Sequence, residues 1–142
     1  MPDGSHDPAQ RFRRTRAAHA DETAEDYVEA IEGLIERSGE ARVKHLAELM
    51  GVSHVTVSRI VARLTKEGLV TTKPRAPIDL TPAGKRMAKL ARERHETVLA
   101  FLLAAGVPKR QAEIDAEGIE HHCSKATLRA MKKTTDRLTN EP

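Results

Sequence analysis

The sequence predicts a mainly α-helical protein with one small β-hairpin, and three observations lead to this prediction. Apolar residues recur at the three- and four-residue spacing of helices over most of the chain. One short stretch instead places β-branched and apolar residues on both sides of a Pro-Arg-Ala-Pro tip. Only three of the 142 residues are aromatic, so the core must be built from Leu, Ile, Val and Ala. This length admits one compact domain or two small interdependent ones, at about 100–200 residues per domain.

The N-terminal third of the chain predicts an arm followed by two helices. Residues 1–20 mix Pro, Gly and Asp with four arginines and show no sustained periodicity, so we expect a disordered basic arm. Apolar residues then recur on one helical face from about 22 to 37, until Gly39. A second amphipathic helix is predicted over 43–50 and stops at Gly51.

The middle of the chain predicts a capped helix and a hairpin. Ser53 can cap a third helix, whose buried stripe ends before Gly68. Two short strands are expected over 69–73 and 78–80. Three helices complete the chain, since Thr81-Pro82 supplies a cap with a first-turn proline and Ser124 can cap the last one. Their predicted limits are 82–103, 108–122 and 125–138.

Charge is strongly segregated along the sequence, although the net charge is only +3. Residues 21–40 carry eight acids against one arginine, whereas residues 41–94 carry twelve Lys and Arg against four acids. The basic block contains the helix, the Gly-containing turn, the capped helix and the hairpin. That order is typical of a winged helix-turn-helix, and a basic one is expected to bind double-stranded DNA. The alternative is a winged helix that binds protein and leaves its basic face solvated.

The exposed face of the third helix and the hairpin, or wing, offers the candidate DNA contacts. Short hydroxyl groups and guanidinium groups near the start of a helix suit base edges and phosphates of the major groove. One such helix gives little affinity alone, so we expect a homodimer built on the later helices. The candidate DNA-contacting residues are Ser53, His54, Thr56, Ser58, Arg59 and Arg63 on the helix and Lys73 and Arg75 on the wing.

The acidic blocks contain two groups of residues with metal-ligand spacing. Asp26 and Glu29 lie one helical turn apart, but this spacing alone is more typical of an ordinary solvated acidic face. Glu117, Glu120 and His121 lie within one turn and can hold one divalent ion. His95 shares the apolar stripe of the long helix, where a histidine is most often simply hydrogen-bonded in the core. These four carboxylates and two imidazoles suffice for one or two divalent ions if their three helices meet.

The chain resembles the diphtheria toxin repressor family of metal-dependent transcription factors from about residue 21 to residue 138. The resemblance places the six metal-ligand positions of the family on Asp26, Glu29, His95, Glu117, Glu120 and His121. The motifs that carry it are E-D-Y-V-E (25–29), V-S-x-x-T-V-S (52–58), L-T-P-A-G (80–84), R-H-E (94–96) and D-A-E-G-I-E-H-H (115–122).

The resemblance also implies a metal and a domain plan. Iron-responsive members carry Met where this chain has Asp26 and Cys where it has Glu120, and two carboxylates in their place favour Mn²⁺. We expect one or two Mn²⁺ ions per subunit, with Fe²⁺, Co²⁺ or Zn²⁺ as substitutes in vitro. The resemblance implies a winged helix-turn-helix domain over 21–81 and a helical metal-binding and dimerisation domain over 82–142. It further implies Mn²⁺-dependent promoter binding that represses manganese uptake genes.

Two other classes of function are alternative interpretations of the same residues. A metal-independent winged-helix regulator that senses a small organic ligand would leave the six ligand-type residues as a coincidence. An enzyme is disfavoured, because the inverted zinc-protease motif H-x-x-E-H needs His where Glu117 stands; we expect no small organic substrate. The longest apolar run, 98–107, has ten residues against about 20 for a membrane span. With the single Cys123, this leads us to expect a cytoplasmic protein without a membrane partner.

Overall fold

The structure is a computed structural model that describes residues 8–140. This part of the chain contains six α-helices, two short strands and one 3₁₀ turn, Glu120–His122. In chain order the elements are α1 (Pro8–Ser38), α2 (Val43–Met50), α3 (His54–Lys66), β1 (Val70–Thr71), β2 (Asp79–Leu80), α4 (Pro82–Ala104), α5 (Lys109–Ile119) and, after the 3₁₀ turn, α6 (Lys125–Asn140). None of the described helices combines the length and the apolar character needed to cross a membrane.

Helix α1 begins earlier than the sequence analysis predicts. It starts at Pro8 rather than near residue 22, so the expectation of a disordered arm over 1–20 is wrong for residues 8–20. This stretch is rich in Ala and Arg and contains no Gly or Pro after Pro8, and proline itself is tolerated in the first turn. Residues 1–7 of the predicted arm lie outside the described residues.

The N-terminal core packs α1 against α2, α3 and the two strands. Its largest fully buried side chains include Ile31 of α1, Leu46 of α2, Leu64 of α3 and Val70 of β1. Burial of each such side chain contributes about 1.5–3 kcal/mol. The predicted helix-turn-helix is confirmed, with Gly51 in the left-handed conformation at the end of α2.

The two strands form an antiparallel wing that is shorter than predicted. Val70 pairs with Leu80 and Thr71 with Asp79, and an isolated bridge between Ala41 and Ile78 adds one further pairing. The wing tip between the strands is exposed except for Pro77 and Ile78. Pairing over two residues per strand suffices here because Val70, Ile78 and Leu80 are anchored in the core.

A hydrogen-bonded cap joins α4 to the wing. The hydroxyl of Thr81 accepts from the backbone N–H of Gly84 at 3.1 Å and donates to the carbonyl of Gly68 at 2.6 Å. A Cβ on Gly84 would collide with the backbone carbonyl of Leu69. The start of α4 is therefore fixed directly against the N-terminal half, which comprises α1, α2, α3 and the wing, and α4 continues past α1 toward α5 and α6.

Candidate metal centre and nucleic-acid interface

The six predicted ligand positions come from three parts of the fold that contact one another. Helix α1 carries Asp26 and Glu29, and helix α4 carries His95. The remaining three lie at the end of α5 and in the 3₁₀ turn, which contacts both α1 and α4. The chain adopts 3₁₀ geometry from residue 120, and the side chains of two consecutive ligand-type residues there, Glu120 and His121, are each only 4% exposed.

Glu120 lies at the centre of this group and is only 3% exposed. Its Oε2 is 2.6 Å from Nδ1 of His95, and its Oε1 is 3.5 Å from Nε2 of His121. Burial raises the pKa of Glu120, and the hydrogen bond and charge of His95 oppose that rise. A buried carboxylate between two imidazoles is an arrangement that a cation would stabilise.

One cluster around Glu120 has the dimensions of a metal site. Single ligand atoms of His95, Glu117 and Glu120 all lie within 4.8 Å of one another. Glu117 Oε1 is 3.8 Å from His95 Nδ1, and its side chain is 66% exposed. Two carboxylates and one imidazole form a donor set that suits Mn²⁺ or Fe²⁺ better than thiophilic ions.

A second cluster forms around His121, on the other side of Glu120. Its Nε2 is 3.3 Å from Oδ1 of Asp26, while its Nδ1 is 2.8 Å from Oε2 of Glu25. Burial lowers the pKa of His121, but the hydrogen bond to Glu25 and the charges of Asp26 and Glu120 outweigh it, so the pKa is raised. Nearby carboxylates thus favour positive charge at this position.

Glu29 interacts electrostatically with Glu120 and the other ionisable residues of the candidate metal centre. Burial, together with the negative charges of Glu120, Asp26 and Glu117, raises the pKa of Glu29 to about 7. The pKa of Asp26 is also raised, chiefly by burial, although His121 opposes the rise. The carboxylates of the site therefore repel one another, and a divalent cation is the group whose charge and preferred oxygen ligands fit them.

Two residues of the site were not singled out by the sequence analysis. Arg94 Nη2 lies 2.6 Å from Oε1 of Glu25, so Glu25 bridges Arg94 and His121. Both residues directly precede predicted ligands, in the motifs E-D-Y-V-E and R-H-E, and this adjacency was the only available signal. His122, which was left out of the predicted set, is exposed and 4.0 Å from Glu22.

The predicted DNA-contacting residues fall into two groups in the structure. His54, Ser58 and Arg59 are exposed on α3, and Lys73 and Arg75 are exposed on the wing. The side chains of Ser53 and Thr56 form the α3 cap, in which Ser53 Oγ accepts from the Thr56 N–H at 3.1 Å.

Arg63 departs from the expected exposed face. Its Nη2 donates to the carbonyl of Ala20 at 3.0 Å, and its Nε lies 3.4 Å from Glu67 Oε1. The early start of α1 explains this orientation, because it places a helical carbonyl within reach of the α3 side chain. Arg63 thus joins α3 to α1 in the structure.

Known families match almost the whole chain in two consecutive parts. Residues 19–77 match the iron dependent repressor, N-terminal DNA binding domain, and residues 81–142 match the iron dependent repressor, metal binding and dimerisation domain. The transcriptional regulator MntR of Escherichia coli O6:H1 is 44% identical over 126 residues, which are 89% of this chain and 81% of that protein. The chain belongs to the iron-dependent repressor family. The resemblance to the diphtheria toxin repressor family is thereby confirmed.

Further relatives and solved structures agree with this assignment. The HTH-type transcriptional regulator MntR of Bacillus pumilus is 40% identical over 100 residues, covering 70% of this chain and 69% of that protein. The structure of the manganese regulator SloR is 30% identical with a TM-score of 0.70 and covers 80% of this chain and 53% of that one. A manganese-dependent transcriptional repressor in complex with manganese is 29% identical with a TM-score of 0.71, covering 80% and 52%.

These similarities confirm the predicted fold class, a winged helix-turn-helix followed by a helical domain. The chain spans about half the length of the two solved structures described above. The family consists of transcriptional repressors, which are not enzymes, so the chain is not an enzyme.

Proposed function

We propose that this protein is a Mn²⁺-dependent transcriptional repressor that binds promoter DNA as a homodimer when Mn²⁺ is bound and represses manganese uptake genes. The observation that carries the proposal is the arrangement around Glu120, where a buried carboxylate lies between two imidazoles and beside three further carboxylates. The names of the relatives, which describe manganese regulators, support the choice of metal.

The proposed ligands are the six residues inferred from the resemblance. Asp26, Glu29, His95, Glu117, Glu120 and His121 would supply oxygen and nitrogen atoms to one or two Mn²⁺ ions per subunit. Glu120 supports either number, because its two oxygens face different imidazoles. Fe²⁺, Co²⁺ and Zn²⁺ accept the same donors and would substitute in vitro.

The position of α1 supports a mechanism of population shift. Helix α1 packs in the core of the N-terminal half and also carries Asp26 and Glu29. His95 and the 3₁₀ turn belong to the C-terminal half. The two halves are already joined by ion pairs from Arg92 to Glu32 and from Arg94 to Glu25. When bound, the metal would cancel the remaining repulsion between the carboxylates of the site. It would thereby favour the arrangement in which the α3 helices of the two subunits fit DNA.

The proposed domain plan assigns 21–81 to DNA binding and 82–142 to metal binding and dimerisation. Exposed apolar side chains of the second part, including Leu103, Ile114 and Ile119, support a dimer surface there. On DNA we propose that His54, Ser58, Arg59, Lys73 and Arg75 contact bases or phosphates, and that Ser53, Thr56 and Arg63 position α3. Because promoter DNA is the proposed partner, the cytoplasm is the proposed location.

The decisive test is promoter affinity at fixed salt during titration with Mn²⁺, Fe²⁺ and a chelator. We expect Mn²⁺ to strengthen binding by about 5–150-fold, which is the usual range of allosteric coupling. His95→Ala should lose this response, whereas His122→Ala, which changes an exposed neighbouring histidine, should keep it. Equal affinity in chelator and in Mn²⁺ would contradict the metal switch while leaving the DNA-binding fold intact.

A metal-independent regulator that senses a small organic ligand is the second candidate, and one observation favours it. A cavity of about 620 Å³ between α4 and the start of α6 is lined largely by apolar side chains, including Met87, Leu90 and Leu128. Cavities of about 300–1,000 Å³ hold small ligands. The same titration distinguishes the candidates, since this regulator would bind DNA equally well with Mn²⁺ and with chelator.

A further inference from the structure

The carboxylate of Glu25 bridges two side chains from different parts of the fold. Its Oε1 lies 2.6 Å from Nη2 of Arg94 on α4, and its Oε2 lies 2.8 Å from Nδ1 of His121 in the 3₁₀ turn. The side chains of Glu25 and His121 are only 14% and 4% exposed. Water therefore competes weakly for the contact between Glu25 and His121, and the orientation of the imidazole is set by the protein.

The chemistry of the three groups fixes the position of the ring proton. A guanidinium only donates hydrogen bonds, and an ionised carboxylate only accepts them. Glu25 therefore requires a proton on Nδ1 of His121. In the neutral imidazole the lone pair then lies on Nε2, which is the atom that faces Asp26 Oδ1 at 3.3 Å and Glu120 Oε1 at 3.5 Å.

We propose that Glu25, held in place by Arg94, is a positioning residue that sets the tautomer of His121 and directs the Nε2 lone pair toward the metal position between Asp26 and Glu120. This inference deepens the proposed function and rests on it for the identity of the cation. It assigns Glu25 no direct contact with the metal. Hydrogen-bonded partners of this kind orient metal-binding histidines and increase their basicity.

The variant Glu25→Gln provides a sharp test because it is almost the same size as the natural residue. Glutamine has one accepting oxygen and one donating amide group. Arg94 can only donate hydrogen bonds, so it would donate to the glutamine oxygen. The glutamine NH₂ group would then face His121 Nδ1. The ring must then accept at Nδ1 and carry its proton on Nε2, where the metal would bind.

We expect ¹⁵N NMR of the metal-free protein at alkaline pH to show the Nδ1–H tautomer of His121 in the natural protein and the Nε2–H tautomer in Glu25→Gln. The Mn²⁺ affinity, measured by calorimetry, should fall by about 10–100-fold. Circular dichroism melting verifies that the variant folds.

Glu22→Gln is the matched control. It removes the same charge three residues earlier on α1, from a side chain 4.0 Å from His122. It should keep the Nδ1–H tautomer and nearly the natural Mn²⁺ affinity. The inference is overturned if Glu25→Gln keeps the Nδ1–H tautomer, or if it loses no more affinity than Glu22→Gln. If the natural protein binds no Mn²⁺, the proposed function fails, and the tautomer comparison alone still decides the role of Glu25.

Discussion

Single residues of the candidate metal centre respond to pH because burial and neighbouring carboxylates oppose their ionisation. The pKa of Glu29 is raised from 4.5 to about 7, so between these pH values the folded protein holds a proton that the unfolded chain has lost. The stability contributed by this group is fully present below pH 4.5 and is lost as the pH rises through about 7. The raised pKa values of Asp26 and Glu120 act in the same direction.

We therefore expect the Tm of the metal-free protein to fall as the pH rises from 4.5 to about 7, and Glu29→Gln to reduce that fall. The glutamine removes the ionisation that folding opposes. Differential scanning calorimetry across this pH interval measures the effect. Glu36→Gln removes an exposed acid from the same helix and should follow the natural pH dependence. An unchanged slope in Glu29→Gln would contradict the interpretation.

Residue type and spacing predicted candidate ligands that the structure places close together, but they did not predict the other side chains that these residues contact. Asp26, His95 and Glu120 follow from helical spacing and from motif resemblance, both of which are local properties of the sequence. The contact of Glu25 with His121 joins residues 96 positions apart, and that of Arg63 with Ala20 spans 43. Such pairings depend on how helices are stacked, which periodicity along one helix does not determine.

Secondary-structure elements were predicted closely wherever a local cap decides their ends. Ser53, Thr81 and Ser124 each accept the expected backbone hydrogen bond at a helix start. The start of α1 was missed because residues 8–20 show no sustained apolar periodicity. The strands were overextended because pairing stops at Thr71, before the exposed Thr72 and Lys73, while Leu69 and Ile78 pack in the core. Side-chain caps thus determine where these helices begin, whereas tertiary packing determines how much of a strand is paired.

The contact between α4 and the wing requires a residue without a Cβ at position 84, which is Gly84. Gly84→Ala would place a methyl group against the backbone carbonyl of Leu69, and overpacking of this kind costs about 1–3 kcal/mol. We expect the free energy of unfolding in urea to fall by that amount. Gly118→Ala is the control, because a Cβ there meets no atom within 4 Å. It should be neutral or stabilising by up to about 1 kcal/mol, and an equal loss in both variants would argue against a specific clash.

At the scale of the whole molecule, the two halves differ in how much apolar surface they bury. The N-terminal half has a core of large aliphatic side chains, whereas the fully buried residues of α5 are Ala112 and Ala116. Ile114 on the same helix is 59% exposed. A second copy of the chain would cover this surface, in agreement with the dimerisation domain that the second half matches.

We expect Ile114→Glu to shift the protein from dimer to monomer, because a charge would be buried in the proposed subunit contact. Sedimentation velocity measures the change, and DNA affinity should fall with it. Leu49→Glu alters a similarly exposed side chain, 50% exposed, on α2 of the other half and should remain dimeric. A dimeric Ile114→Glu variant would place the subunit contact elsewhere.

The unequal exposure of the site residues gives the proposed metal centre one side that faces water and one that is buried. Glu120 and His121 have side chains only 4% exposed, whereas Glu117 beside them is 66% exposed. Glu117 would therefore hold the ion on the side that faces water, whereas Glu120 and His121 would hold it from within the protein. A proposed signal ion would thus be bound at the surface of the helical half and not enclosed in its interior.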